Sequence, residues 1–108
     1  MRKWTVQDRY EHFIYLTDER WKHITDPTNH PGMEGYCDYI KETIKTGKRK
    51  QYDLDPRKYR YIQWFNDLPE NNNCIIVVVR FKFDVDETGA TVENNFVLTA
   101  YQKNIRRK

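Results

Sequence analysis

Arg80, Thr99 and Tyr101 are the residues of this chain whose types and strand spacing bring a cation and two hydroxyls together. A guanidinium is a planar fork matched to phosphate oxygens, and a neighbouring hydroxyl adds a hydrogen bond, so the set suits an anionic ligand. Further positive charge accompanies it: Lys82 lies two residues beyond Arg80, Lys48-Arg49-Lys50 forms a run, and Arg60 sits among Tyr59, Tyr61 and Trp64. A basic, aromatic-bearing sheet face is a suitable floor for RNA, which proteins hold by stacking bases and contacting phosphates. Each residue also has a plainer reading. Arg80 can serve an ion pair, the 48–50 run can be a solvated edge that discourages strand aggregation, and Tyr59, Tyr61 and Trp64 can be core.

The stretch from Cys74 to Gln102 must position this set. Two strand patterns flank a Gly89-centred turn, which predicts a β-hairpin over about 75–85 and 92–101. Alternation gives Ile75, Val77, Val79, Phe81, Phe83 and Val85 to a core face, and Ile76, Val78, Arg80, Lys82 and Asp84 to a mixed face. On the return strand Val92, Phe96, Leu98 and Ala100 join the core, and Val97, Thr99 and Tyr101 the mixed face. Two registers suit the turn. A Thr88-Gly89 loop pairs Arg80 with Val97, and a Gly89-Ala90 loop pairs Arg80 with Thr99.

The remaining elements follow in order. Residues 1–11 are polar and aperiodic and read as an arm, and His12 to Leu16 offers a short strand. Thr17 caps a helix over Asp18 to Thr25 with acidic residues in its first turn. Pro27 and Pro31 impose a loop that carries His30. A second helix from about Glu34 to Thr46 shows a four-spaced stripe of Tyr36, Ile40 and Ile44, with Gly47 at its end. An edge strand follows over 48–54, then a strand over 58–65 with Tyr59 and Tyr61 on one face and Arg60, Ile62 and Trp64 on the other. The predicted architecture is α+β: N-terminal helices packed on a roughly four-stranded antiparallel sheet, in one domain with a basic tail over 103–108.

Composition limits the classes of function. A chain of 108 residues has one core. With 32% charged residues, 15% aromatics and a mean hydropathy of -1.00 it is a small folded domain with a very polar surface. The net charge of +3 leans weakly towards anionic partners. Cys37 and Cys74 are too few and too far apart for a secreted disulfide framework, and no apolar run is long enough to span a bilayer, so a cytoplasmic protein with no membrane association is expected. His23, His30 and Cys37 recur every seven residues, a spacing of no zinc module, so no metal is predicted. No phosphate loop, nucleophile elbow or paired-carboxylate motif is present.

Three segments then gain meaning together. Ile14-Tyr-Leu-Thr-Asp-Glu-Arg-Trp-Lys-His-Ile24, the His30-Pro-Gly-Met33 loop and the closing Val97-Leu-Thr-Ala-Tyr101 resemble the phage and bacterial nucleases grouped with barnase, EndoU, colicin and RelE. The resemblance covers roughly residues 13 to 102. It implies two N-terminal helices on a four-stranded antiparallel sheet, and metal-independent RNA cleavage on the open sheet face. It matches an active-site histidine to His23 and a last-strand polar residue to Thr99 or Tyr101.

Cleaving RNA through its own 2'-hydroxyl needs a base for that hydroxyl, a cation for the phosphorane and an acid for the leaving oxygen. His23, Arg80 and Tyr101 are the candidates for these roles, with Thr99 holding the phosphate. His30, Lys48, Arg60 and Lys82 are candidate substrate contacts, although His30 could equally bond within its own loop. Two functions are expected on this reading: a cofactor-free endoribonuclease of toxin-like or phage-related type, which could have an inhibitor or antitoxin partner, or a non-catalytic module binding RNA or protein.

Overall fold

The computed structural model describes residues 1–28 and 32–106. In chain order the elements are β1 (Arg2–Gln7), β2 (Phe13–Thr17), α1 (Asp18–Thr25), α2 (Cys37–Thr46), β3 (Lys48–Tyr52), β4 (Asp55–Trp64), β5 (Cys74–Arg80), β6 (Phe83–Val85), β7 (Thr91–Glu93) and β8 (Asn95–Lys103). Six strands form one sheet in the order β1-β2-β8-β5-β4-β3, and β6 and β7 form a separate ribbon. Because β2 runs parallel to β8 while the other neighbours are antiparallel, the sheet is mixed.

This overturns the expected plan of N-terminal helices on a four-stranded antiparallel sheet. The chain is mostly strand, and the helices are inserted after the second strand rather than leading the chain. The missing strand is β1. Only Trp4 and Val6 are large apolar residues within it, and their period of two is diluted by Lys3, Thr5 and Gln7, yet both pack on the core. Pairing then extends the sheet: Val6 faces Ile14 across β1 and β2, and Ile14 faces Asn95 across the parallel pair.

The two helices cover one face only. Ile24 of α1 and Ile40 and Ile44 of α2 close over Ile14, Leu16, Tyr61, Ile75, Val77, Val79, Val97 and Ala100, all fully buried or nearly so. Thr17 caps α1 by accepting a hydrogen bond from the Arg20 amide at 3.1 Å. At the other end of α2 a β-carbon on Gly47 would collide with the carbonyl oxygens of Thr43 and Ile62, so the helix passes into β3 at a point where only glycine fits. Asp8 is buried beside this core. Its carboxylate accepts from the amides of Tyr10 at 2.9 Å and His12 at 2.8 Å and from the Tyr61 hydroxyl, which ties the β1–β2 loop to β4. Burial first, and the Asp8 carboxylate second, push the Tyr61 hydroxyl well above the ordinary tyrosine range.

Two departures concern the hairpin itself. A β-bulge shifts its register: Val78 pairs with Thr99 but Val79 pairs with Val97, which leaves Leu98 as the extra residue. Val97 therefore turns into the core, while Leu98 packs against Ile76 and Val78 on the opposite face, reversing the roles expected for both. Phe96 is likewise moved to that face, where its ring lies 6.0 Å from the Tyr15 ring. Beyond Arg80 the strands leave the body. Phe83, Val85 and Val92, expected in the core, are 58%, 70% and 41% exposed on the ribbon formed by β6 and β7. The Asp86 carboxylate closes the ribbon's turn by accepting from the amides of Thr88 at 2.9 Å and Ala90 at 3.0 Å, and Gly89 takes the positive φ of 84° that completes it. Arg80 consequently faces Phe96, neither of the two partners expected from the turn alone.

No helix among the described residues is long and apolar enough to cross a membrane. Cys37 and Cys74 form no disulfide.

Candidate functional site

The face that the helices leave uncovered carries a small apolar patch of its own. Cys74, Ile76 and Val78 of β5 are buried there under Tyr52, Ile62, Trp64, Leu98, Tyr101 and Ile105. Strand alternation sets cations around it. Lys48 and Lys50 of β3 stand opposite Ile62 and Arg60 of β4, and Arg60 stands opposite Val78. The C-terminal segment forms the far wall: the Asn73 side chain accepts from the Ile105 amide at 3.0 Å and donates to its carbonyl at 2.8 Å. Within the basic tail read from the sequence over 103–108, Ile105 is fixed by these two bonds and pressed on the patch.

Between β3, β4 and this wall lies a cleft of about 510 Å³, whose floor is Ile62, Ile76 and Ile105 and whose rim holds Lys48, Lys50, Arg60 and Lys103. Among the described residues its lining contains no carboxylate. Among the described residues none of these four cations is within an ion pair. Four cations gathered without counter-charge over an apolar floor repel one another, and an anion entering the cleft relieves that repulsion. Tyr101 borders the same patch. Burial raises its hydroxyl above the ordinary range, Tyr52 and Cys74 add to the shift, and Arg60 opposes it, so at neutral pH it is a neutral hydrogen-bond donor.

The expected site residues are divided by the sheet. Thr99, Tyr101, Arg60 and Lys48 share the open face, as does Arg80 at the opposite end of β5 from the cleft. Arg80 is engaged: its guanidinium holds both oxygens of Asp55, at 2.9 and 3.3 Å. Lys82 pairs with Asp84 at 3.6 Å, beside the ribbon. His23 is exposed on α1, which packs on the helix-covered face through Ile24, so the sheet lies between it and the Arg60–Tyr101 cluster. His23 assists, behind the hydrogen bonds from Thr28, in holding the Asp26 carboxyl below its usual range. His30 lies outside the described residues. Thr99 has its hydroxyl buried with no hydrogen-bond partner, a cost that an open-face ligand or a bound water could remove.

Lys50 and Lys103 belong to the cleft and were not singled out as contacts by the sequence. Their signal was present in the alternation: Lys50 shares parity with Lys48, and Lys103 with Thr99 and Tyr101. Ile105 had no such signal, because its position depends on the Asn73 clamp from a distant loop. Among the described residues no cluster of three or more His, Cys, Asp or Glu side chains could hold a metal ion. No family model matches the chain, and neither the curated proteins nor the solved structures contain a match to it.

Proposed function

We propose that the open sheet face binds RNA and that the chemistry done there is metal-independent cleavage through the 2'-hydroxyl. The observation that carries this reading is the cleft rimmed by Lys48, Lys50, Arg60 and Lys103 with no acid in its lining, next to the neutral hydroxyl of Tyr101. A phosphodiester laid across Arg60 gains charge as O2' attacks phosphorus, and a fixed guanidinium stabilises that phosphorane more than the ground state. The 2'-hydroxyl proton passes to solvent water, Lys48 and Lys50 hold the phosphate oxygens as ammonium donors, and Tyr101 gives a proton to the departing 5'-oxygen and regains one from water. In this reading His23 takes no part.

The second reading is a module that binds RNA without cutting it. It is favoured by one observation: the histidine and the arginine expected to work together are, respectively, on the far side of the sheet and paired with Asp55. One experiment separates the two. Purified protein is incubated with mixed RNA in EDTA, and products are examined for 2',3'-cyclic phosphate ends. Cyclic-phosphate fragments that vanish in Arg60→Ala support cleavage. Salt-sensitive binding without fragments supports the module, and the loss of both in wild type rejects the face as an RNA site.

A further inference from the structure

We propose that the acidic ribbon of β6 and β7 docks into the cationic cleft of a second copy of this chain, so that copies associate head to tail. The ribbon is unusual in two respects. A two-stranded hairpin standing outside a sheet is marginally stable by itself, yet this one holds Phe83 and Val85 at 58% and 70% exposure on one of its faces, with Thr91 and Glu93 directly across from them. Residues 83–93 also contain Asp84, Asp86, Glu87 and Glu93 and no lysine or arginine; Lys82 lies 3.6 Å from Asp84 and His12 3.0 Å from Glu93, and Glu87 at the turn is in no ion pair among the described residues. The cleft is its complement in both properties, with an isoleucine floor for apolar side chains and a rim of four cations for carboxylates.

Geometry makes the contact intermolecular. Ile76 lies in the cleft floor at the Cys74 end of β5, whereas the ribbon begins only after β5 has ended at Arg80 and Phe81 and Lys82 have left the strand. No residue of the ribbon lines its own cleft, and the Arg80–Asp55 pair lies at the end of β5 between the two. The two surfaces being different, the contact is heterologous, and it generates a ring or an open filament rather than a symmetric pair. Other occupants fit less well: the ribbon's carboxylates repel nucleic acid, and two ribbons repel each other. An RNA strand and a neighbour's ribbon would compete for one cleft, but the docking does not depend on RNA being a ligand.

The test uses two surface variants of the full chain, each checked by circular dichroism against wild type. One carries Phe83→Ser and Glu87→Lys and so lacks the ribbon surface; the other carries Lys50→Glu and Arg60→Glu and so lacks the cleft. Sedimentation velocity in low-salt buffer is expected to show wild-type mass rising with concentration and falling back to monomer in high salt. Each variant alone remains monomeric. Mixed, they form a pair that stops at two chains, because one supplies an intact cleft and the other an intact ribbon. A wild type that stays monomeric at every concentration overturns the proposal, as does a ribbon variant that still self-associates or a mixture that does not pair. No RNA is present in these measurements, so their failure leaves the RNA reading standing, and failure to bind RNA leaves this one standing.

Discussion

The two faces of β5 are equally dry and chemically unlike. Cys74 to Val79 are all buried, but Ile75, Val77 and Val79 lie beneath two helices, whereas Ile76 and Val78 lie beneath long side chains and one clamped tail. Depth of burial therefore does not tell a core from a site. What differs is the border: the helix-side cluster is ringed by Trp4, Trp21, Tyr36 and Tyr39, while beside the open-side cluster stand Lys48, Lys50, Arg60 and Lys103, in no ion pair among the described residues. A small apolar floor with convergent charge is the form of a binding surface; an extended apolar layer under amphipathic helices is the form of a core.

Truncating neighbours on the same strand tests that contrast with the largest expected effect. Ile75→Ala should lose about 2–5 kcal/mol in urea unfolding, because helices on one side and the sheet on the other prevent the site from collapsing. Ile76→Ala should lose about 1–3 kcal/mol, since the tail and the Arg60 stem can settle into the space. Equal losses would mean that both faces are core. Gly47→Ala should be comparable, about 1–3 kcal/mol or more, because the added methyl must push apart the end of α2 and the Ile62 backbone. That strain displaces β3, so the RNA binding proposed for Lys48 and Lys50 should weaken with stability.

An intermediate effect is expected where the helix side holds the buried Asp8 carboxylate. Tyr61→Phe removes the hydroxyl that donates to Asp8 and should cost about 1–3 kcal/mol, leaving RNA binding unchanged at a temperature where the variant is folded. Altered RNA affinity in the folded variant would show that the two faces are coupled through β4.

These expectations rest on features that were legible to different degrees. Local signals were read well: α1 begins at the Thr17 cap, and Tyr61 and Ile62 take the faces their alternation assigns. Features set by distant parts of the chain were not. The parallel pairing of β2 with β8 joins residues 14 and 95, and nothing within either strand specifies it. The bulge at Leu98 is similarly silent, because Val97 and Leu98 are both apolar and either can face the core. The error at Phe83 and Val85 has another cause: apolar alternation continues past Arg80 although the sheet does not, so the pattern signals strand without signalling burial.

Within the open face, Arg60 and Arg80 offer the narrowest comparison. Arg60→Ala should change unfolding free energy by about 0.5 kcal/mol or less, since among the described residues this exposed side chain is in no ion pair, yet it should weaken the proposed RNA binding and flatten the salt dependence by about one unit of slope. If cleavage occurs, the rate should fall about 100-fold, as expected for loss of a cation matched to the phosphorane. Binding that is unaffected would remove Arg60, and with it the cleft, from the functional surface.

Arg80→Ala is expected to have the smallest effect of all, and for a reason the structure supplies. Its guanidinium is already matched by both oxygens of Asp55, so it presents little uncompensated charge to a phosphate. Arg80 and Asp55 are also 34% and 36% exposed in their side chains, where solvent screens the attraction and the entropy of holding two side chains offsets much of the gain. The variant should therefore lose less than about 1 kcal/mol of stability and retain RNA binding within a few-fold. Asp55→Ala sharpens the test, because it releases the Arg80 guanidinium on the open face without removing it. If the ion pair is what keeps Arg80 out of the functional surface, Asp55→Ala should bind RNA more tightly than wild type, and the double variant should return to wild-type affinity. If Arg80→Ala alone abolishes binding or cleavage, the pair with Asp55 is a resting arrangement that substrate displaces, and the working surface reaches beyond the cleft to the far end of β5.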